Sequence, residues 1–115
     1  MEGLSCAALA ADGYFEVLCL AADAKERQVK GIYCCDLLSV VMSKGFPDAA
    51  WVTIMGNINA AAVAALTEMS CIVLADGSSL DDKLLEKAKA QHITVVRSKE
   101  PIFETALYIN GLLHA

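Results

Sequence analysis

The chain has 115 residues, of which 57% are hydrophobic and 20% charged, and its formal net charge is −5. This composition excludes a disordered chain, and the length fits a single domain over residues 1–115 that buries a core of its own. The lack of a basic block excludes a general nucleic-acid binder, and the acidic balance argues against a membrane partner with an anionic surface.

The first part of the chain, residues 1–24, is apolar but contains Glu2, Asp12 and Glu16 and has no basic start. We therefore interpret it as folded structure and not as a signal peptide. Within it, LSCAALAA indicates a short helix and FEVLCLA (15–21) a first strand. No apolar run reaches the roughly 18 residues that cross a bilayer. The odd number of cysteines, five, fits a reducing compartment, so we predict a cytoplasmic protein.

The rest of the chain alternates between strand-like and helical patterns. The predicted strands are KGIYCC (30–35), AWVTIM (50–55), CIVLA (71–75) and ITVV (93–96). The predicted helices are DLLSVVMSK (36–44), NINAAAVAALTEM (57–69), LDDKLLEKAKAQ (80–91) and PIFETALYINGLL (101–113). Asp36 is the expected N-cap of the first of these helices, and Asn57 or Asn59 caps the second. Ser79 with Asp82 resembles a capping box for the third.

This order of elements predicts an α/β fold with a mostly parallel sheet of about five strands and helices on its faces. Parallel strands joined by helices bring their strand-to-helix loops to one edge, where ligands usually bind. The loops expected at that edge are 34–36, 56–59, 76–79 and 98–100. The candidate ligand-binding residues in or beside them are Asp36, Ser39, Thr53, Gly56, Asn57, Asn59, Asp76, Gly77 and Ser98.

The loop GNIN at 56–59 has two interpretations. Gly56 permits a tight turn or the close approach of another backbone, and the following helix start presents free N–H groups that suit a phosphate or carboxylate. The alternative is a helix end satisfied by its own cap and by water. Asp36 likewise either caps its helix or contacts a ligand hydroxyl or amine, and Asp76 with Gly77 either turns the chain or contacts a ligand.

Residues for catalysis or metal binding form no recognisable motif. The glycine-rich phosphate loops and the serine nucleophile elbow are absent from the sequence. His92 reads as a helix-end residue, and the adjacent Cys34 and Cys35 point to opposite faces of a strand, which makes them a poor pair of metal ligands. A redox role for Cys35 beside a helix start is the alternative. We therefore expect no enzyme activity, no metal and no cofactor.

Several segments together resemble the DRTGG domain family over about residues 14–113. They are the alanine-rich helix after Gly56, strands like CIVLADG and ITVVRS, and a last helix with Phe103 near its start. The segment GIYCCDLLSVVM, with Trp51 and Thr53 in the strand that follows, is similar to small stand-alone members of this family. In place of Asp, Arg, Thr, Gly and Gly of the family motif, this chain has Asn57, Ile58, Asn59, Ala60 and Ala61.

The resemblance implies a fold like the N-terminal domain of HPr kinase and an accessory or regulatory role. Related domains occur beside CBS domains in regulated pyrophosphatases and in phosphotransacetylases. The resemblance also implies a homodimer, and some stand-alone members look to be encoded near hydrogenase-like iron–sulfur proteins, which suggests such proteins as partners.

These observations lead to three hypotheses. The first is a non-catalytic regulatory, ligand-sensing or protein-interaction module that forms a homodimer. Exposed Trp51, Tyr33 or the last helix could form its partner surface, and core packing is the alternative for these aromatics. The second is a binder of a nucleotide or phosphorylated small molecule at the strand-to-helix loop edge. The third, which the sequence supports least, is a small enzyme.

Overall fold

Seven strands and five helices make up residues 3–115, the part of the chain that the computed structural model describes. The strands are β1 (Leu4–Ser5), β2 (Glu16–Cys19), β3 (Gln28–Val29), β4 (Gly31–Cys34), β5 (Ala49–Thr53), β6 (Cys71–Leu74) and β7 (Thr94–Arg97). The helices are α1 (Cys6–Ala11), α2 (Leu38–Lys44), α3 (Ile58–Leu66), α4 (Asp82–Ala90) and α5 (Ile102–Leu113). Among these helices none is both long and apolar enough to cross a membrane.

The main sheet has the strand order β2-β7-β6-β5-β4. Strands β4 to β7 are parallel, which confirms the predicted mostly parallel sheet of five strands. Strand β2 instead pairs with β7 in the antiparallel direction at one edge, with Glu16 directly opposite Arg97. The two-residue strands β1 and β3 form a separate antiparallel pair that the sequence pattern did not indicate.

Helices cover both faces of the sheet. On one face, α2, α3 and α4 pack over Trp51 and Leu74, and Leu84 of α4 lies in the same cluster. On the other, α1 and α5 contribute Leu9 and Ile109 to a second cluster. Strands β5 and β6 are buried along their whole length, which is why AWVTIM and CIVLA read as continuous apolar runs and not as alternating ones.

The aromatic residues that we considered for a partner surface differ in how deeply they are buried. Trp51 is fully buried, and its indole N–H donates to the carbonyl of Cys35 at 2.9 Å. Of the two interpretations of Trp51, core packing is therefore confirmed, and its use as an exposed partner surface was wrong. Tyr33 is partly buried and meets Phe46 edge-on at 6.1 Å between ring centroids. The last helix does expose apolar side chains, as considered below.

Two predicted helix caps lie elsewhere. Leu37, not Asp36, is the N-cap of α2, because the Asp36 carboxylate is engaged by the end of β5. In α4 the N-cap is Asp81, whose side chain accepts from the N–H of Lys83 at 3.0 Å, so the expected cap at Ser79 was wrong. The N-cap of α3 is Asn57, one of the two residues predicted for that place.

Candidate ligand-binding edge of the sheet

The carboxyl ends of the four parallel strands and the amino end of β2 meet along one edge. Parallel pairing places Cys34 beside Val52, Thr53 beside Leu74, and Leu74 beside Arg97, so the loops that follow these strands are neighbours. The antiparallel β2 adds the segment before Glu16 to the same edge. The predicted loops thus come together at the expected place, together with a fifth segment that was not expected.

Asp36 joins two of these loops. Its Oδ1 accepts hydrogen bonds from the Thr53 hydroxyl at 2.7 Å and from the N–H of Ile54 at 3.0 Å, and the same hydroxyl accepts from the N–H of Met55 at 3.2 Å. Thr53 is fully buried, whereas Asp36 and Ser39 are exposed. The Asp36 carboxylate therefore positions the chain after β5 while remaining accessible from solvent.

At Gly56 the space in front of the backbone is filled by protein. A Cβ added there would overlap the carbonyl oxygen of Ser79 and lie 2.9 Å from Cα of Leu80. The Gly56 carbonyl also accepts from the N–H of Asp81 at 2.7 Å. Of the two interpretations that the sequence left open for this glycine, the structure matches the close approach of another backbone.

The start of α3 is capped from within. The Asn57 side chain accepts from the N–H groups of Asn59 and Ala60, at 3.0 and 3.3 Å, while the Asn59 side chain is exposed. Two of the N–H groups that the sequence offered to an anion thus already have a partner. The self-capped alternative fits this geometry better than an anion cradle does.

Asp76 and Gly77 form a turn that is tied to the loop after β7. Both have left-handed backbone angles, φ 61° and 57°, and their N–H groups donate to the carbonyls of Glu100 at 2.7 Å and Ser98 at 2.8 Å. Ser98 is buried, and its hydroxyl pairs with that of Thr105 at 2.8 Å and accepts from the N–H of Glu100 at 2.9 Å. These contacts join the two loops into one wall.

A cavity of about 640 Å³ opens beside this wall. Its volume is in the range of small-molecule sites, which is roughly 300–1,000 Å³. Two of the predicted ligand-binding residues, Gly77 and Ser98, line this cavity. The other lining residues are Gly13, Tyr14, Phe15, Glu16, Arg97, Lys99 and Glu100.

An ion pair at the cavity joins Arg97 to Glu16. Arg97 Nε and Nη2 lie 3.0 and 2.9 Å from Glu16 Oε1, and Nη2 also lies 3.1 Å from Oε2. A further nitrogen, Nη1, donates to the carbonyl of Ser78 at 3.3 Å. Neither residue was among the candidates predicted from the sequence, although an arginine directly after a predicted strand was a usable signal.

Aromatic rings support the segment that leads into β2. Tyr14 stacks on Tyr108 of α5 with ring centroids 3.9 Å apart, and the Tyr108 hydroxyl donates to Asp12 at 2.7 Å. Hydrogen bonds from Tyr108 and from the N–H of Tyr14 lower the pKa of Asp12. The same bond to Asp12 raises the pKa of Tyr108. Helix α5 thereby fixes the wall of the cavity that Tyr14 provides.

The cysteines form no disulfides in the part of the chain that the structure describes. All five cysteines are free, and burial together with the charge of Asp36 raises the pKa of the Cys34 thiol. Cys35 is partly buried, with its thiol 3.7 Å from the carbonyl of Leu37. Within residues 3–115, no three His, Cys, Asp or Glu side chains are grouped so as to hold a metal ion.

The profile of the DRTGG domain matches residues 13–112, nearly the whole chain and all of the elements that line the cavity. The chain belongs to the DRTGG domain family. This membership confirms the resemblance inferred from the sequence. No curated protein matches the chain.

A solved structure shares the fold of this DRTGG domain. It is the regulatory region of Clostridium perfringens pyrophosphatase, with its CBS and DRTGG domains, in complex with the activator diadenosine tetraphosphate. The two are 15% identical with a TM-score of 0.70, and the match covers 86% of this chain and 43% of the pyrophosphatase chain. The present chain therefore spans less than half of that relative, and the likeness establishes the fold alone.

Proposed function

We propose that this DRTGG domain is a non-catalytic regulatory module that senses a nucleotide or another phosphorylated small molecule. The observation that carries the proposal is the 640 Å³ cavity at the carboxyl edge of the sheet, with Arg97 and Lys99 among its lining residues. Arginine and lysine are the side chains that bind phosphate groups. The solved relative, a regulatory region complexed with a dinucleoside polyphosphate, supports this ligand class.

The proposed site is centred on the wall formed by Gly77 and Ser98. In this proposal Asp76 holds the turn of that wall, while Asp36, Ser39 and Thr53 form the more distant end of the same edge. Gly56, Asn57 and Asn59 lie on the loop between these two parts, where they shape the edge through the contacts described above.

A thermal-shift experiment on the full chain tests the proposal. We expect ATP, diadenosine tetraphosphate or inorganic pyrophosphate to raise the melting temperature, because a ligand at 100 times its Kd adds roughly 2.7 kcal/mol to the free energy of unfolding. Adenosine, which has no phosphate, is the matched control and should give a smaller shift than ATP. Unchanged melting with all three phosphorylated compounds at millimolar concentration would contradict the proposal.

We also propose that the chain forms a homodimer, with the exposed side of α5 as the interface. This helix packs its buried side on the sheet, yet its outer side exposes Phe103 and Leu107, one turn apart, to 68% and 57%. Glu104 is the single charged residue within α5. Helices that are apolar on both sides are typically buried, so a second copy of the chain is the occupant that we propose for this face.

A further inference from the structure

The Glu16 carboxylate lies where a ligand phosphate would be expected to bind. It meets Arg97 through both of its oxygens, with nitrogen–oxygen distances of 2.9 to 3.1 Å. A bidentate pair of this kind uses the guanidinium edge that also binds two oxygens of a phosphate. The pair borders the cavity, so an entering phosphate and Glu16 would compete for the same donors.

The two partners of this ion pair are held very differently. The Arg97 side chain is 25% exposed and donates from Nη1 to the carbonyl of Ser78, and the backbone of Arg97 is paired with strands on both sides. The Glu16 side chain is 58% exposed and comes from the edge strand β2. An exposed carboxylate can turn into water at little cost, whereas the arginine stays in place. The pair is thus asymmetric, with a fixed cation and a releasable anion.

Space for a phosphate is present next to the pair. Gly77 also borders the cavity, and nothing lies within 4 Å of where its Cβ would be. Lys99, which is exposed, follows at the same rim and adds a second positive charge. A phosphate carries more negative charge than a carboxylate, so it competes well for this arginine.

We infer that Glu16 is an internal competitor of the ligand: it neutralises Arg97 in the free protein, and a phosphate group of the bound molecule replaces it. This inference rests on the proposed function and assigns its phosphate anchor to Arg97. Ligand binding then breaks the side-chain link between β2 and β7 at this end of the sheet. The link couples occupancy of the cavity to an edge strand, which is what a sensing module requires.

The test compares the Kd of ATP and of inorganic pyrophosphate, measured by calorimetry, in the wild type and in single variants. Glu16→Gln should tighten binding by about two- to fivefold, because the competing charge is removed. Arg97→Gln should weaken binding by at least about tenfold, and Arg97→Lys should restore part of the loss. Melting curves of each variant without ligand show whether it is folded.

Glu100→Gln and Lys99→Gln are the matched controls, since they make the same charge changes at the rim of the same cavity. We expect each to change Kd less than its counterpart at Glu16 or Arg97. If Glu16→Gln and Glu100→Gln lower the Kd equally, the effect comes from the overall charge of the cavity. That result would overturn the proposed competition between Glu16 and a phosphate.

The two proposals fail in different ways. If the wild type binds ATP and folded Arg97→Gln binds it equally well, Arg97 is not the anchor and only the present inference is overturned. If neither the wild type nor Glu16→Gln binds ATP or pyrophosphate, the proposed function is overturned as well.

Discussion

Single backbone positions decide how the loops at the carboxyl edge of the sheet fit together. Gly56 follows a buried strand in a sequence, GNIN, that is compatible with an anion-binding turn. In the structure, the backbone of Ser79 and Leu80 instead packs closely against Gly56. Asn57 caps the helix that follows. The glycine is therefore required by contact between two loops. The sequence could suggest either use, because both need a residue without a side chain.

Replacing Gly56 by alanine should destabilise the domain by about 1–3 kcal/mol, the usual cost of forcing a methyl group into a packed site. The two nearest atoms that the new Cβ would meet belong to the backbone of Ser79 and Leu80, so they cannot simply rotate away. Gly13→Ala is the control: nothing lies within 4 Å of its Cβ and its φ is not positive, so it should change the stability by no more than about 1 kcal/mol. Urea denaturation measures both changes, and equal stability of the two variants would contradict the contact.

At the scale of elements, local patterns predicted the parallel part of the sheet but not its antiparallel edge. Strands β4 to β7 are each linked to the next by a helix, and such a connection fixes a parallel direction. Strand β2 has no crossover helix after it, and its partner β7 lies far away in the sequence. Its direction was therefore not encoded in any local signal.

The same limit explains which residues that line the cavity were predicted. Gly77 and Ser98 follow predicted strands, so the strand-end rule located them at the edge. Arg97 is the last residue of its strand and was not counted with the loop. Glu16 reaches the cavity only because β2 is antiparallel. A prediction that did not specify the direction of β2 could therefore not place Glu16 at the cavity.

One contact between elements should make stability depend on pH. The bond from Tyr108 of α5 lowers the pKa of Asp12 and raises that of Tyr108 itself. The Asp12 contribution is complete above its unfolded pKa of about 3.9 and is lost as pH falls through the lowered folded value. The Tyr108 contribution is complete below about pH 10 and is lost as pH rises through the raised folded value.

Tyr108→Phe, which keeps a ring to stack on Tyr14, should therefore be less stable than the wild type between about pH 4 and 10. The difference should shrink at both ends of this window. Unfolding free energies of the two proteins at a series of pH values measure it. A difference that stays constant from pH 2 to 11 would show that the hydrogen bond to Asp12 does not contribute.

For the whole molecule, the two faces of the sheet are covered unequally. Three helices cover one face, whereas α1 and α5 cover the other. In a chain of this size a single core gives only marginal stability, and association is a common way to increase it. The exposed apolar side of α5 lies on the face with fewer helices, and it is the surface where a second copy would add buried area.

If α5 joins two copies, the wild type should sediment at twice the 12.2 kDa mass of the chain, and its melting temperature should rise with protein concentration. Leu107→Ser should abolish both effects, because it places a polar group at the centre of the apolar contact. Leu66→Ser is the matched control, since Leu66 is 68% exposed on α3, at the opposite face. It should leave the dimer intact. A wild type that remains a monomer at millimolar concentration would rule out the homodimer. Equal effects of the two serine variants on the dimer would show that α5 is not its interface.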